Sequence, residues 1–123
     1  MPADVVYEDD HTLAFLDIKP LFQGHVLIVP KVHVETLWNV PDETLSHITK
    51  VTKRISVAVR DAMLAEGIFI ANNNIISQSV PHFHIHVVPR NKKDGLKGFF
   101  WPREKYESDA HRTEVKEKII KML

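Results

Sequence analysis

The sequence contains no cysteine, only four glycines, and no apolar run long enough to cross a membrane. Without thiols, neither a disulfide nor a thiolate metal site can form. That composition suits a reducing compartment without requiring one. A membrane-spanning helix needs about 18 apolar residues in succession. The longest candidate, Val26-Leu27-Ile28-Val29, has the length of a buried strand. The first residues lack the basic segment and apolar stretch of a signal peptide, so a cytoplasmic location is expected. Charge of one sign is also missing: 16 acidic and 16 basic residues give a formal net charge of zero. A nucleic-acid-binding face draws on a basic surplus, so neither a nucleic acid nor a membrane is an expected partner.

What is present is a chain of 123 residues, 44% of them hydrophobic, enough for one packed domain spanning 1–123. Val5-Val6-Tyr7, Thr12–Leu16 and His25–Val29 read as successive strands of an antiparallel meander, with a loop at Lys19–Gly24 closed by glycine. Pro41-Asp42-Glu43 marks a helix start. Leu45, Ile48, Val51, Ile55, Ala58, Val59 and Ala62 then recur at steps of three and four, predicting a long helix that ends at Gly67. Ile68–Ala71 resumes strand character, Asn72-Asn73-Asn74 breaks it, and Val80–Val88 reads as a further strand. Pro81 removes a backbone donor and predicts an irregular start to that strand. After a charged loop and the apolar cluster Phe99-Phe100-Trp101-Pro102, Ser108 can cap a last helix with Val115, Ile119 and Met122 on one face.

Histidine is over-supplied, with eight residues, three of them in the run His82-Phe83-His84-Ile85-His86. Alternation along a strand puts His82, His84 and His86 on one face and Phe83, Ile85 and Val87 on the other, with steps of roughly 6.6 Å. Neutral imidazole keeps a lone pair at pH 7, can attack phosphorus and can later leave. A protonated neighbour can supply the leaving group's proton. Metal binding is the rival reading, because three histidines can hold a catalytic zinc. Three same-face positions on one strand span about 13 Å, too far for all to reach one ion.

The run His82-Phe83-His84-Ile85-His86-Val87-Val88, preceded by Gln78-Ser79-Val80, resembles the signature of the histidine triad (HIT) superfamily. Leu16-Asp17-Ile18, Gly24-His25-Val26-Leu27-Ile28-Val29-Pro30-Lys31 and His33 resemble its nucleoside-binding half. Gly98–Arg103 resembles a C-terminal segment of some prokaryotic members. The resemblance implies an α+β fold: an antiparallel sheet of about five strands, one long helix and a C-terminal helix, with the sheet continued across a homodimer. It implies His84 as nucleophile, His82 and His86 assisting, and His25 supporting them. Phe15, Leu16, Asp17, Ile18, Asn72, Gln78, Ser79 and Trp101 would contact the substrate, a purine nucleotide. Nucleoside 5′-phosphoramidates or acyl-nucleotides are the expected substrates, with dinucleoside polyphosphates, or nucleotide binding with residual catalysis, as alternatives. No cofactor is required by that chemistry. Many prokaryotic relatives carry an N-terminal Cys-x-x-Cys segment that binds zinc with two histidines. This sequence has no cysteine, and His33 matches one of those histidines, so zinc is not expected.

Overall fold

The computed structural model describes residues 3–96 and 103–123. Gly98 and the Phe99–Pro102 cluster, including Trp101, lie outside the described residues. Five strands form one sheet: β1 (Val5–Glu8), β2 (Thr12–Leu16), β3 (Val26–Pro30), β4 (Gly67–Ala71) and β5 (Ile85–Arg90), in the order β1-β2-β3-β5-β4. Every neighbouring pair is antiparallel. Helix α1 (Asp42–Ala62) covers one face, and α2 (Asp109–Met122) follows the last strand.

The two periodicities meet in the core. Ala14, Val26, Ile28 and Val87 project from the sheet onto Ile48, Val51, Ile55 and Val59 of α1. The opposite set faces away from the helix. Phe15 pairs with Leu27, and Leu27 pairs with His86, so one row across three strands carries an aromatic, an aliphatic and an imidazole side by side. The loop entering β3 turns at Gly24, with φ +95°; a Cβ there would stand 2.7 Å from Cγ of Met63. Only glycine satisfies both the dihedral and the contact.

Three features differ from the sequence reading. The last strand starts at Ile85, not Val80. His82 donates its N–H to the Val80 carbonyl at 2.8 Å, and Phe83 donates to the Val34 carbonyl at 2.7 Å. The chain therefore bends through Pro81 and joins the sheet only where Ile85 meets Ile28. The irregular start attributed to Pro81 is present and longer than one residue. The same strand runs on to Arg90 through Pro89, whose missing donor is tolerated because pairing with β3 has already ended at Val26–Val87.

Helix α1 ends at Ala62, not Gly67. The stop is a Schellman turn built on a leucine: Leu64 has φ +52°, and the Ala65 N–H donates to the Arg60 carbonyl at 2.9 Å. Gly67 instead opens β4. A leucine in the left-handed region costs roughly 1–2 kcal/mol, part of which glycine returns through its freer unfolded state. Leu64→Gly is therefore expected to stabilise the fold by about 0.5–1 kcal/mol, read as a Tm raised by a few degrees in a thermal melt. The third difference is in α2. Ser108 caps it as expected, its Oγ accepting from the His111 N–H at 3.0 Å, yet no residue of the helix is buried. Ile119 and Met122 stay exposed rather than forming a packed face.

Candidate active site

On the sheet face opposite α1 lies a cleft of about 480 Å³, within the range of small-molecule sites. Its walls are Phe15, Asp17, Leu27, Val29, Ser79, Val80, His82, His84 and His86. β2 supplies Phe15, β3 supplies Leu27 and Val29, the bend before β5 supplies Ser79, Val80, His82 and His84, and β5 supplies His86. Of the residues read from the sequence, Phe15, Asp17, Ser79 and the three triad histidines are thus brought together.

The others lie elsewhere. Strand alternation turns Leu16 to the helix side, where it lines a separate apolar cleft with Met63 and Ile55. Ile18 is 71% exposed and forms no part of the histidine cleft. The Gln78 amide ties down its own loop, accepting from the Ile75 N–H at 2.9 Å and donating to the Glu35 carbonyl at 2.5 Å. Asn72 donates its side-chain amide to the His84 carbonyl at 3.0 Å and accepts from Asn74 at 2.7 Å.

Hydrogen bonding sets the state of each imidazole. The Nδ1–H of His84 donates to the His82 carbonyl at 2.7 Å, so its Nε2 keeps the lone pair. His25 sits behind, with its Nδ1 accepting the Leu21 N–H at 3.1 Å. Its Nε2–H then donates to His86 Nδ1 at 2.9 Å, which places the remaining proton of His86 on Nε2. The His84 and His86 rings meet edge to face, centroids 4.9 Å apart. That is closer than the strand spacing expected from the sequence, because His84 precedes the strand and only His86 lies in it.

His82 commits both nitrogens. Its Nε2–H donates to the Pro30 carbonyl at 3.1 Å, and its Nδ1 stands 3.2 Å from Nδ1 of His33. What His82 offers its neighbour is therefore its backbone carbonyl, a contribution no side-chain pattern reveals. The pairing of His33 with His82, and the place of Leu27 and Val29 in the cleft wall, were not read from the sequence. The signal for Leu27 and Val29 was available: they share the period of two that places Phe15 opposite them.

Burial pushes the pKa of His25 below its ordinary value, opposed by the nearby Asp17 carboxylate, whose Oδ2 is 3.7 Å from Nδ1. Burial also lowers His86, helped by His84 and His25 and opposed by Asp17. Both rings are therefore neutral at pH 7, as the hydrogen-bond assignment requires. The unfolded chain binds these protons more readily, so stability declines as pH falls below about 6.5. Asp94, held at about pKa 2 by Arg90, works in the same direction: its contribution is present above the ordinary carboxylate value and lost as pH falls toward 2. A lower urea midpoint at pH 5 than at pH 7.5 is the expected result.

The amide of Asn72 fixes the backbone that carries His84. Asn72→Ala is expected to loosen that backbone and displace the His84 ring, read as shifted His84 ring resonances in nuclear magnetic resonance; unchanged resonances would show that other contacts hold it.

Two groupings bear on metal binding. Among the described residues, Asp17, His25 and His86 are the one cluster of three donors within 4.8 Å of one another. His33 and His82 present two close nitrogens, but the sequence has no thiol to join them. Among the described residues no fourth such donor joins the Asp17, His25 and His86 group within 4.8 Å.

His84, anchored through Nδ1, thus lies edge to face against His86, which is bonded from behind by the buried His25. The family description "HIT domain" matches residues 1–93. The chain is a HIT-domain protein. A HIT-like protein of Methanocaldococcus jannaschii is 41% identical over 118 residues, covering 94% of this chain and 91% of the relative. An adenosine 5′-monophosphoramidase of Candida albicans is 33% identical over 131 residues, covering 99% of this chain and 86% of the relative. The crystal structure of a HIT-family member from Bacillus subtilis superposes with TM-score 0.89 at 34% identity, covering all of this chain and 89% of the other. The matched segment of the HIT domain contains every residue of the histidine cleft. It also contains the Leu21–His25–His86 hydrogen-bond chain.

Proposed function

We propose that this HIT domain is a nucleotide hydrolase or transferase that cleaves a purine nucleoside 5′-phosphoramidate or acyl-nucleotide through a nucleotidyl-histidine. The observation that carries this reading is the His84 imidazole. Its Nδ1 is anchored to the His82 carbonyl, and its Nε2 is free in a cleft walled by Phe15 and Leu27 on one side and His86 on the other. The base stacks against the apolar wall, and Asp17 accepts from the ribose hydroxyls. The adenosine 5′-monophosphoramidase among the relatives supports the choice of substrate.

In the first step Nε2 of His84 attacks phosphorus as the phosphorus–nitrogen bond breaks. The protonated form of His86, a minority at pH 7, delivers its Nε2 proton to the departing nitrogen. Burial makes that form a stronger acid than a free imidazolium, and the Asp17 carboxylate behind His25 offsets its charge. The His82 carbonyl stabilises the positive charge that develops on His84. In the second step water attacks phosphorus, gives a proton back to His86, and the bond to His84 Nε2 breaks. Nucleoside monophosphate leaves, and no metal is needed for either step.

Incubation with adenosine 5′-phosphoramidate and with a diadenosine polyphosphate tests the substrate, by the rate of AMP release from each. Faster release from the phosphoramidate is expected; preference for the polyphosphate would reassign the substrate, and inertness toward both would leave a nucleotide-binding protein. A homodimer belongs to the same proposal. It is supported by an apolar recess between α1 and β4, lined by Leu45, Ile70, Phe83 and Ile85, beside a half-exposed Ile70. Sedimentation giving a monomer mass would remove it.

A further inference from the structure

A second histidine pair lies away from the hydrolysis cleft, where the β1–β2 turn meets the start of α1. A polar recess of about 270 Å³ there is lined by His11, Glu43, Thr44 and His47, each with a nitrogen or oxygen able to bind a cation. Glu43 and His47 are one turn apart on α1, so they share a helix face. The His11 and His47 rings meet edge to face, with centroids 5.7 Å apart.

Asp9 orders this corner. Its Oδ1 accepts the His11 and Thr12 N–H groups, each at 2.8 Å. Its Oδ2 accepts the Tyr7 hydroxyl and the His47 Nε2–H, each at 2.7 Å. Burial opposes the charge on Asp9, but these four donors outweigh it and hold the carboxyl well below its ordinary pKa. With Nε2 of His47 engaged, its Nδ1 is the nitrogen left to act. A carboxylate that grips one nitrogen of a histidine while the other binds metal is the usual outer support of a metal-ligating imidazole.

We propose that His11, His47 and Glu43 bind a divalent transition-metal ion, with Asp9 orienting His47 and with Thr44 or water completing the shell. Imidazoles joined to one ion by bonds of about 2 Å hold their centroids about 5 Å apart. The ligand atoms of His11, His47 and Glu43 do not all lie within 4.8 Å of one another here, so binding requires the rings and the Glu43 carboxylate to turn inward. Glu43 is exposed, which leaves room for that turn. Two imidazoles and a carboxylate suit zinc, nickel or copper rather than magnesium or calcium. The carboxylates of Glu43 and Asp9 argue against an anion. An ion here would clamp the β1–β2 turn to α1, and it shares no residue with the histidine cleft.

The test is calorimetric titration of the full chain with Zn²⁺, alongside His11→Ala/His47→Ala, Glu43→Gln and His25→Gln variants. The wild type is expected to bind with an affinity that falls about tenfold or more in the double variant and severalfold in Glu43→Gln. His25→Gln, which disrupts the Asp17–His25–His86 cluster, should leave this binding event in place. Nuclear magnetic resonance should show zinc-dependent shifts of the His11 and His47 ring protons. The double variant should keep wild-type phosphoramidate hydrolysis, which also establishes that it folds. Zinc affinity unchanged in both the double variant and Glu43→Gln would overturn the proposal. So would binding lost only in His25→Gln, or no zinc binding at all.

Discussion

Replacing His84 with alanine is expected to lower turnover of adenosine 5′-phosphoramidate on the order of 10⁴-fold or more, while AMP affinity changes only a few-fold. The ring is nearly buried, and its one anchored nitrogen leaves a single lone pair at the cleft. No other imidazole can take over. His82 has both nitrogens committed, and His86 is tied through Nδ1 to His25. The walls that hold the base and ribose, Phe15, Leu27 and Asp17, are untouched by the substitution. A steady-state assay paired with AMP calorimetry separates the two effects. Reactions with substrate labelled at the α-phosphate, quenched in alkali because the phosphorus–nitrogen bond is acid-labile, add a third reading: label should stay on the wild-type chain and not on the variant. Turnover that persists in His84→Ala would refute the covalent route.

Phe83→Ala is expected to destabilise the fold by about 3–5 kcal/mol, lowering Tm by roughly 10–25 °C. Phe83 is among the largest side chains with almost no exposure, and it packs in the cluster with Ile48, Ile55 and Val26. Its loss leaves a cavity under the bend that carries His82 and His84. The Phe83 N–H donates to the Val34 carbonyl, so the same residue fixes the bend from both backbone and side chain. Chemical denaturation measures the stability loss directly. Activity assayed well below the new midpoint should also fall, because the bend that carries His84 has loosened. A variant within about 1 kcal/mol of wild type would show that the bend is held by other contacts.

The architecture was largely legible in the residues. The apolar stripe of α1 and the alternation of β2 and β3 each specify a face, and burial of those faces leaves one arrangement for sheet and helix. The errors lay at ends. The stop of α1 was assigned to Gly67 because glycine is the usual left-handed residue, whereas Leu64 takes that conformation here. The hydrogen bonds of the Schellman turn and the start of β4 impose it. The triad was drawn as one straight strand because alternation of polar and apolar residues survives a bend. Nothing local announces that Phe83 pairs with Val34 rather than with β3.

The sequence by itself determined the family and the α+β class, and through the family resemblance it singled out His84 as the candidate nucleophile. These depend on residue type and short-range spacing. Tertiary structure alone decided which nitrogen of each histidine carries the proton. Those choices depend on the Leu21 N–H and on the His82 and Pro30 carbonyls, backbone groups that every sequence shares and only a fold can aim. It also sorted the expected substrate contacts. Phe15 and Leu16 are neighbours in the chain, yet the pleat sends one to the histidine cleft and the other to the helix. His11 and His47 meet because a turn and a helix 36 residues apart pack around Asp9.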